Sequence, residues 1–186
     1  SVISALNEDI DYPKPDQPNL MTAETMFNVV ELVGEKMRDV QDRYGPSLTS
    51  RGVDSGASII VGGQRAGGAP RPFNVYAEGN FLQATDDTPF FQIGEHKYGK
   101  PIIDRVVSVE TEMRDAVIAA LLSMDSTIRS NLSVGMPLDL AVLPAGAMTF
   151  DQERRIEADD PDFRAFSDQW SQQLKNSFQV MRDMTV

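Results

Sequence analysis

At 186 residues, with 41% hydrophobic and 24% charged residues, the chain has the length of a single domain and enough apolar material for a sizeable core. Its formal charge of −11 repels phosphate backbones and argues against a nucleic-acid partner. Cysteine is absent, which removes disulfides, thiol nucleophiles and thiolate metal sites and fits a cytoplasmic location, while the single histidine, His96, rules out any site that needs two.

No apolar run approaches the roughly 18 residues of a membrane span, so no membrane partner is expected. Ser1–Asp9 reads as helix, with Val2, Ile3 and Leu6 on one face. A helix that begins at the first residue lacks a preceding cap, so polypeptide upstream of Ser1 is expected. Pro13, Pro15 and Pro18 mark a surface loop. Met21–Tyr44 is then a strong amphipathic helix, with Thr22 as its expected N-cap. Its stripe is Met26, Val29, Val30, Val33, Met37, Val40 and Tyr44, and Gly45-Pro46 is expected to stop it.

A block of short strands follows. Ala57–Val61, Phe73–Ala77, Phe81–Ala84 and Phe90–Ile93 are separated by turn residues and predict an antiparallel meander. The Gly62–Gly68 segment matches neither a Walker loop nor a GxGxxG helix start, and reads as a hairpin tip. His96 lies beside Lys97 in a polar loop and reads as solvated. With no GxSxG elbow, a Ser–His–Asp triad has no support.

Glu110–Ile128 is the second long helix. Met113, Val117, Ala120, Leu121, Met124 and Ile128 form one stripe, and Ile118 and Leu122 widen it to a second side. Burial on two sides is expected, against a sheet and against a helix or neighbouring subunit. Leu138–Val142 and Ala147–Phe150 are predicted strands. Asp160-Pro161 opens the last helix, with Phe163, Phe166, Trp170, Leu174, Phe178 and Met181 on one stripe. Strand runs followed by helices indicate an α+β fold in one domain spanning 1–186.

Three strings carry a family resemblance: "IIVGGQRAGGAPRPFNVYAEGNFLQATDDTPFFQIGEHKYGKPIIDRV" at Ile59–Val106, "LLSMDSTIRSNLSVGMPLDLAVL" at Leu121–Leu143 and "DDPDFRAFSDQW" at Asp159–Trp170. In this order they resemble the proteasome β-subunit family, and most closely its bacterial branch Anbu, the ancestral β-subunit. The resemblance runs from about Val2 to Phe178. It implies the four-layer αββα sandwich of the N-terminal nucleophile hydrolases, here without its first strands. It also implies a threonine-type peptidase or amide hydrolase that forms a homo-oligomer, acts on peptide or protein substrates, and needs no metal and no cofactor. In that family a threonine at the mature N-terminus attacks the carbonyl and its own amine takes the proton. By this alignment the nucleophile and its aspartate and lysine lie upstream of Ser1, on roughly 50–60 further residues. Ser1 itself is a poor nucleophile candidate, because "SVISALNED" reads as helix and no lysine lies within the first dozen residues.

The family's Arg-Asp-x-x-Ser segment, which supports the nucleophile and its amine, matches Arg129, Ser130 and Ser133. Ser133 fits the serine. Ser130 stands where the family usually has aspartate, and a hydroxyl cannot supply the negative charge that holds an ammonium. Asn131 adjoins it as a substitute acceptor. Where relatives carry Gly-Ser-Gly, whose serine also supports the nucleophile, this chain has Gly94-Glu95-His96-Lys97, so the resemblance implies a bulkier, charged group, Glu95, at about the serine's position and on the substrate side, with capping of the next helix by Tyr98-Gly99-Lys100-Pro101 as the alternative. Turn chemistry at a helix end is the alternative reading of both serines. The departures at Ser130 and Glu95 keep a second function open: a catalytically weak scaffold subunit of the same fold.

Overall fold

Ten elements follow one another in the computed structural model, which describes residues 1–182 and 184. They are helices α1 (Val2–Asp11) and α2 (Met26–Thr49), strands β1 (Ser58–Gly63), β2 (Arg71–Tyr76) and β3 (Phe81–Gln83), helices α3 (Lys100–Val106) and α4 (Met113–Ser130), strands β4 (Leu138–Val142) and β5 (Gln152–Ile156), and helix α5 (Pro161–Arg182). The class is α+β, as the element order predicts. The chain falls into two compact units. One holds Ser1–Ile93 with Leu143–Thr149, and the other holds Gly94–Val142 and the chain from Phe150 onward.

In the first unit α1 is capped after all: the Ser1 side chain accepts from the Ser4 amide at 3.2 Å. Ser1 therefore begins a helix and not a strand. The cap of α2 is Thr25, not Thr22, and it accepts from the Asn28 amide at 3.1 Å. Thr22 is drawn into a turn in which Asn19 Oδ1 accepts from the Met21 and Thr22 amides at 2.9 and 3.1 Å. Gly45-Pro46 does not stop α2. Pro46 lies inside its last turn, forfeits only its own amide bond, and its carbonyl still accepts from Ser50 at 3.1 Å.

Strands β1, β2 and β3 form an antiparallel sheet in that order, with Ile59 opposite Val75 and Val75 opposite Phe81. One sheet face sends Phe73 and Val75 into a core with Leu6 of α1 and with Val30, Val33 and Met37 from the stripe expected for α2, whose last residue, Tyr44, is instead 53% exposed. Gly34 lets α2 approach the β2–β3 turn, because a Cβ there would sit 2.3 Å from the Gly79 carbonyl oxygen. The expected fourth strand at Phe90–Ile93 does not form. A Thr85–Thr88 bridge closes the turn, and Pro89 offers no amide to continue a ladder. The expected strand at Ala147–Phe150 is also replaced, in part by a loop that Gln64 clamps. Gln64 Nε2 donates to the Pro144 carbonyl at 2.8 Å and to that of Ala147, and its Oε1 accepts from the Gly146 amide at 2.8 Å.

In the second unit α3 is a short helix that adds to the expected element order. It approaches α4 at Gly99, where a Cβ would lie 2.1 Å from Ser123 Oγ and 2.8 Å from Thr127 Oγ1. Ala119, Ser123 and Thr127 are accordingly buried on one face of α4, and Asp125 is buried on another, where it meets Ser167 of α5. Within this one chain the expected apolar stripe is partly covered: Met113 is 51% exposed, and Val117, Leu121, Met124 and Ile128 are half-buried. Small polar residues win the close contact because they allow the backbones to approach.

Strand β4 has the predicted bounds, and it pairs with β5, Gln152–Ile156, with Leu138 opposite Ile156. Asp160 caps α5 as expected, accepting from the Phe163 amide at 2.9 Å. That bond, followed by the one from Arg154, holds the Asp160 carboxyl below its ordinary value. Beyond Ser171 the α5 stripe is exposed, Leu174 by 51% and Phe178 by 66%. Among the described residues no helix is long and apolar enough to cross a membrane.

Two stability predictions follow from these contacts. Replacing Gln64 with Ala strands backbone groups on the 144–147 loop and lowers the free energy of unfolding by about 2 kcal/mol. Gly34→Ala forces a methyl against the Gly79 carbonyl and costs about 2–3 kcal/mol. Urea denaturation of each variant reads both values.

Candidate functional site

The second unit brings the candidate residues together at the C-terminal end of α4. Thr127 Oγ1 donates back to the Ser123 carbonyl at 2.8 Å, and the Asn131 amide donates to the Thr127 carbonyl at 2.9 Å, which ends the helix at Ser130. One turn before that end, Asp125 is buried at 4% exposure. Its carboxylate accepts from Arg129 Nε at 3.3 Å and from Ser167 Oγ, on α5, at 2.5 Å. Arg129 Nη2 closes the triangle on Ser167 Oγ at 2.6 Å. A buried carboxylate is tolerated because it is hydrogen-bonded and paired. The triangle ties the last turn of α4 to α5.

Past the helix end the chain turns on Asn131. Its Oδ1 accepts from the Ser133 amide at 2.9 Å and from Ser133 Oγ at 2.7 Å. Its Nδ2 donates to Glu95 Oε2 at 2.8 Å. The other carboxylate oxygen of Glu95 accepts from the Lys97 amide at 2.9 Å. That amide, ahead of the Asn131 bond and the nearby Lys97 and His96 charges, holds the Glu95 carboxyl below the ordinary value of 4.5, against the opposing pull of partial desolvation.

Two of the three sequence-predicted site residues, Ser133 and Glu95, are thus joined through Asn131. The third, Ser130, is the exposed last residue of α4 and takes no part in this set of bonds. His96 is exposed, with Nδ1 3.2 Å from the Gly94 carbonyl, in keeping with a surface loop. The sequence reading placed Asn131 as an acceptor beside Ser130. It missed the donor half of the amide and the link to Glu95. The signal available was an Asn-x-Ser run just after a helix, the spacing of an Asx turn. Asp125 and Ser167 gave no sequence signal, because polar residues on long helices ordinarily face water.

Chemically, the Ser133 hydroxyl donates its proton to an amide oxygen, a very weak base, so Ser133 is not activated as a nucleophile. The arrangement instead offers a fixed hydroxyl oxygen coupled to a carboxylate.

No protein-family model matches the chain, and a search of curated proteins gives no match. Solved structures do match. Anbu from Hyphomicrobium sp. strain MC1 is 43% identical with a TM-score of 0.87, and the match covers 100% of this chain and 76% of that one. Anbu, the ancestral beta-subunit, from Yersinia bercovieri is 40% identical with a TM-score of 0.90, covering 100% and 76%. The Anbu complex from Pseudomonas aeruginosa, described as a helical assembly, is 42% identical with a TM-score of 0.88, covering 100% and 75%. The fold is therefore proteasome-related. The chain belongs to the Anbu, or ancestral β-subunit, family.

Two measurements test the geometry of this site. The folded-state value of Glu95 is depressed, so its contribution to stability is full above the unfolded value and is lost as pH falls through the folded one. Side-chain amide resonances of Asn131 therefore titrate with a midpoint below pH 4.5, and Glu95→Gln abolishes that titration. Asp125→Ala removes the shared acceptor of Arg129 and Ser167 and lowers thermal stability by about 1–2 kcal/mol.

Proposed function

We propose that the chain forms the larger part of a self-assembling, proteasome-like N-terminal nucleophile hydrolase, a threonine-type peptidase or amide hydrolase acting on peptide or protein substrates in the cytoplasm. In this reading residues 1–186 belong to one four-layer αββα domain, and the attacking hydroxyl with its aspartate and lysine belongs to polypeptide upstream of Ser1. The relatives each extend over about a quarter of their length that this chain does not span. Ser1 is not that hydroxyl here: its side chain is engaged as the cap of α1.

One observation carries the reading. The 94–97 loop and the end of α4 are joined by the Glu95–Asn131–Ser133 bonds, and these are the two places where the family resemblance puts groups that support the nucleophile. Ser133 then acts as a supporting hydroxyl and Glu95 acts on the substrate side, while Ser130, outside these bonds, is a second supporting hydroxyl on the family pattern alone. No metal or cofactor enters the mechanism. The test is to treat the complete, mature protein with a proteasome-directed electrophile and map the adduct by mass spectrometry. An adduct on an N-terminal threonine hydroxyl is expected. Its absence from assembled protein overturns the peptidase reading.

A second reading is favoured by a specific observation. Ser130 supplies no negative charge where the family usually has aspartate, and the Pseudomonas relative is described as a helical assembly. A subunit whose main role is assembly fits both. Under either reading copies of this chain associate, and the exposed Leu174 and Phe178 on α5 are suited to bury in that contact. Phe178→Glu is expected to lower the sedimentation coefficient of the assembled protein without changing its helical circular dichroism.

A further inference from the structure

The glycine-rich tip of the β1–β2 hairpin has no part in the site around α4. It does place two arginines together. The Gly68 amide donates to the Arg65 carbonyl at 2.8 Å, and Gly67 takes φ +75°, a left-handed conformation that glycine adopts without strain. This reversal sets Arg65 and Arg71 at one mouth, beside the first turn of α2. Between them lies a cavity of about 410 Å³, within the range of small-molecule sites.

A guanidinium cannot give up its charge, so taking it partly out of water is unfavourable without an anion beside it. Arg65 is half-buried. Its Nη2 donates to the Leu20 carbonyl, and its Nε is buried with no hydrogen-bond partner. Arg71 is exposed, and its Nη1 reaches Gln83 Oε1 at 3.3 Å, a long bond that a charged acceptor displaces readily. Among the described residues neither arginine has an ion-pair partner. The one carboxylate lining the cavity is that of Glu24. Two guanidiniums against it leave positive charge in excess, in a chain whose formal charge is −11. The rest of the lining includes Met26, Phe27 and Phe73. Phe27 is 52% exposed yet held edge-on to Phe81, with ring centres 5.2 Å apart, and Phe81 packs edge-on to Phe73 at 5.9 Å. A small excess of positive charge over a fixed aromatic floor selects a single negative charge on an apolar body. A dianion such as phosphate gains nothing from that floor and is repelled by Glu24.

We propose that the cavity between the β1–β2 hairpin and the start of α2 binds an apolar monocarboxylate, with Arg65 and Arg71 holding the carboxylate and Met26 and Phe27 receiving the apolar body. The carboxylate takes the place of the long Arg71–Gln83 bond and supplies the counter-charge that Arg65 lacks. Glu24 limits the charge the ligand can carry. The same chemistry is offered by the last residue of a peptide and by a free carboxylic acid with an aromatic or aliphatic body. The site goes beyond the hydrolase reading and needs neither a nucleophile nor the residues around Asn131.

The test titrates the complete, mature protein with four probes. N-acetylphenylalanine ends as a peptide ends, phenylpropionate is a free acid, N-acetylphenylalaninamide keeps the ring without the charge, and inorganic phosphate keeps charge without the ring. Calorimetry gives the affinities, and the methyl resonance of Met26 reports where the ligand sits. Saturable binding of a carboxylate that shifts this resonance is expected, with the amide and phosphate weaker by about tenfold or more. Tighter binding of N-acetylphenylalanine identifies a peptide end as the ligand, and equal or tighter binding of phenylpropionate identifies a free acid. Arg71→Gln and Glu24→Gln change charge at exposed side chains and leave the core intact. The first weakens carboxylate binding about tenfold, and the second tightens it about twofold. The proposal is overturned if neither carboxylate saturates, if the amide or phosphate binds as well as they do, if Arg71→Gln leaves the affinity unchanged, or if Glu24→Gln weakens it.

Discussion

Asn131 is the constraint on which the candidate site depends. One planar amide must satisfy an obligate donor on one side and an obligate acceptor on the other, so its orientation is set and it sets that of Ser133 in turn. The residues on either side matter through it. Upstream, the buried Asp125 with Arg129 and Ser167 holds the last turn of α4 against α5, and so fixes where the helix releases the chain. Downstream, β4 begins at Leu138 and pins the far end of the loop by pairing with β5. The amide is thus suspended between two rigid elements, the condition under which a short polar network keeps its geometry.

The same economy of contact appears in the first unit, where glycine and glutamine set the approach distances. Gly34 brings α2 onto the turn at Gly79, and Gln64 spends both ends of its amide on one loop. Apolar burial supplies the bulk of the stability there, through Leu6, Val30, Val33, Met37, Phe73 and Val75. The polar clamps decide which loop conformation that core supports.

Much of this was legible in the chain, for physical reasons that differ between elements. The α2 stripe was readable because one face of a long helix is truly apolar and buried, and β4 and the Asp160 cap were readable because alternation and capping are local. The ends of α2 were misplaced because Thr22 had a better partner in Asn19 and because a proline near a helix end costs only one bond. The close contact of α4 was not legible because it uses Ser123 and Thr127 at Gly99, and apolar periodicity is blind to a polar interface. The strands expected at Phe90–Ile93 and Ala147–Phe150 looked like strands by composition, but Pro89 blocks one and the Gln64 clamp with the Gly146 turn replaces the other. At the candidate site, Ser133 and Glu95 were singled out through family resemblance. Their connection was not, since a hydrogen bond across 36 residues leaves no local pattern.

The most direct measurement is the position of one hydrogen. Neutron diffraction from perdeuterated crystals of the complete protein locates the deuteron on Ser133 Oγ. The account places it on the line to Asn131 Oδ1, with both Asn131 deuterons on the nitrogen facing Glu95. A deuteron turned away from Asn131, toward another acceptor, contradicts it.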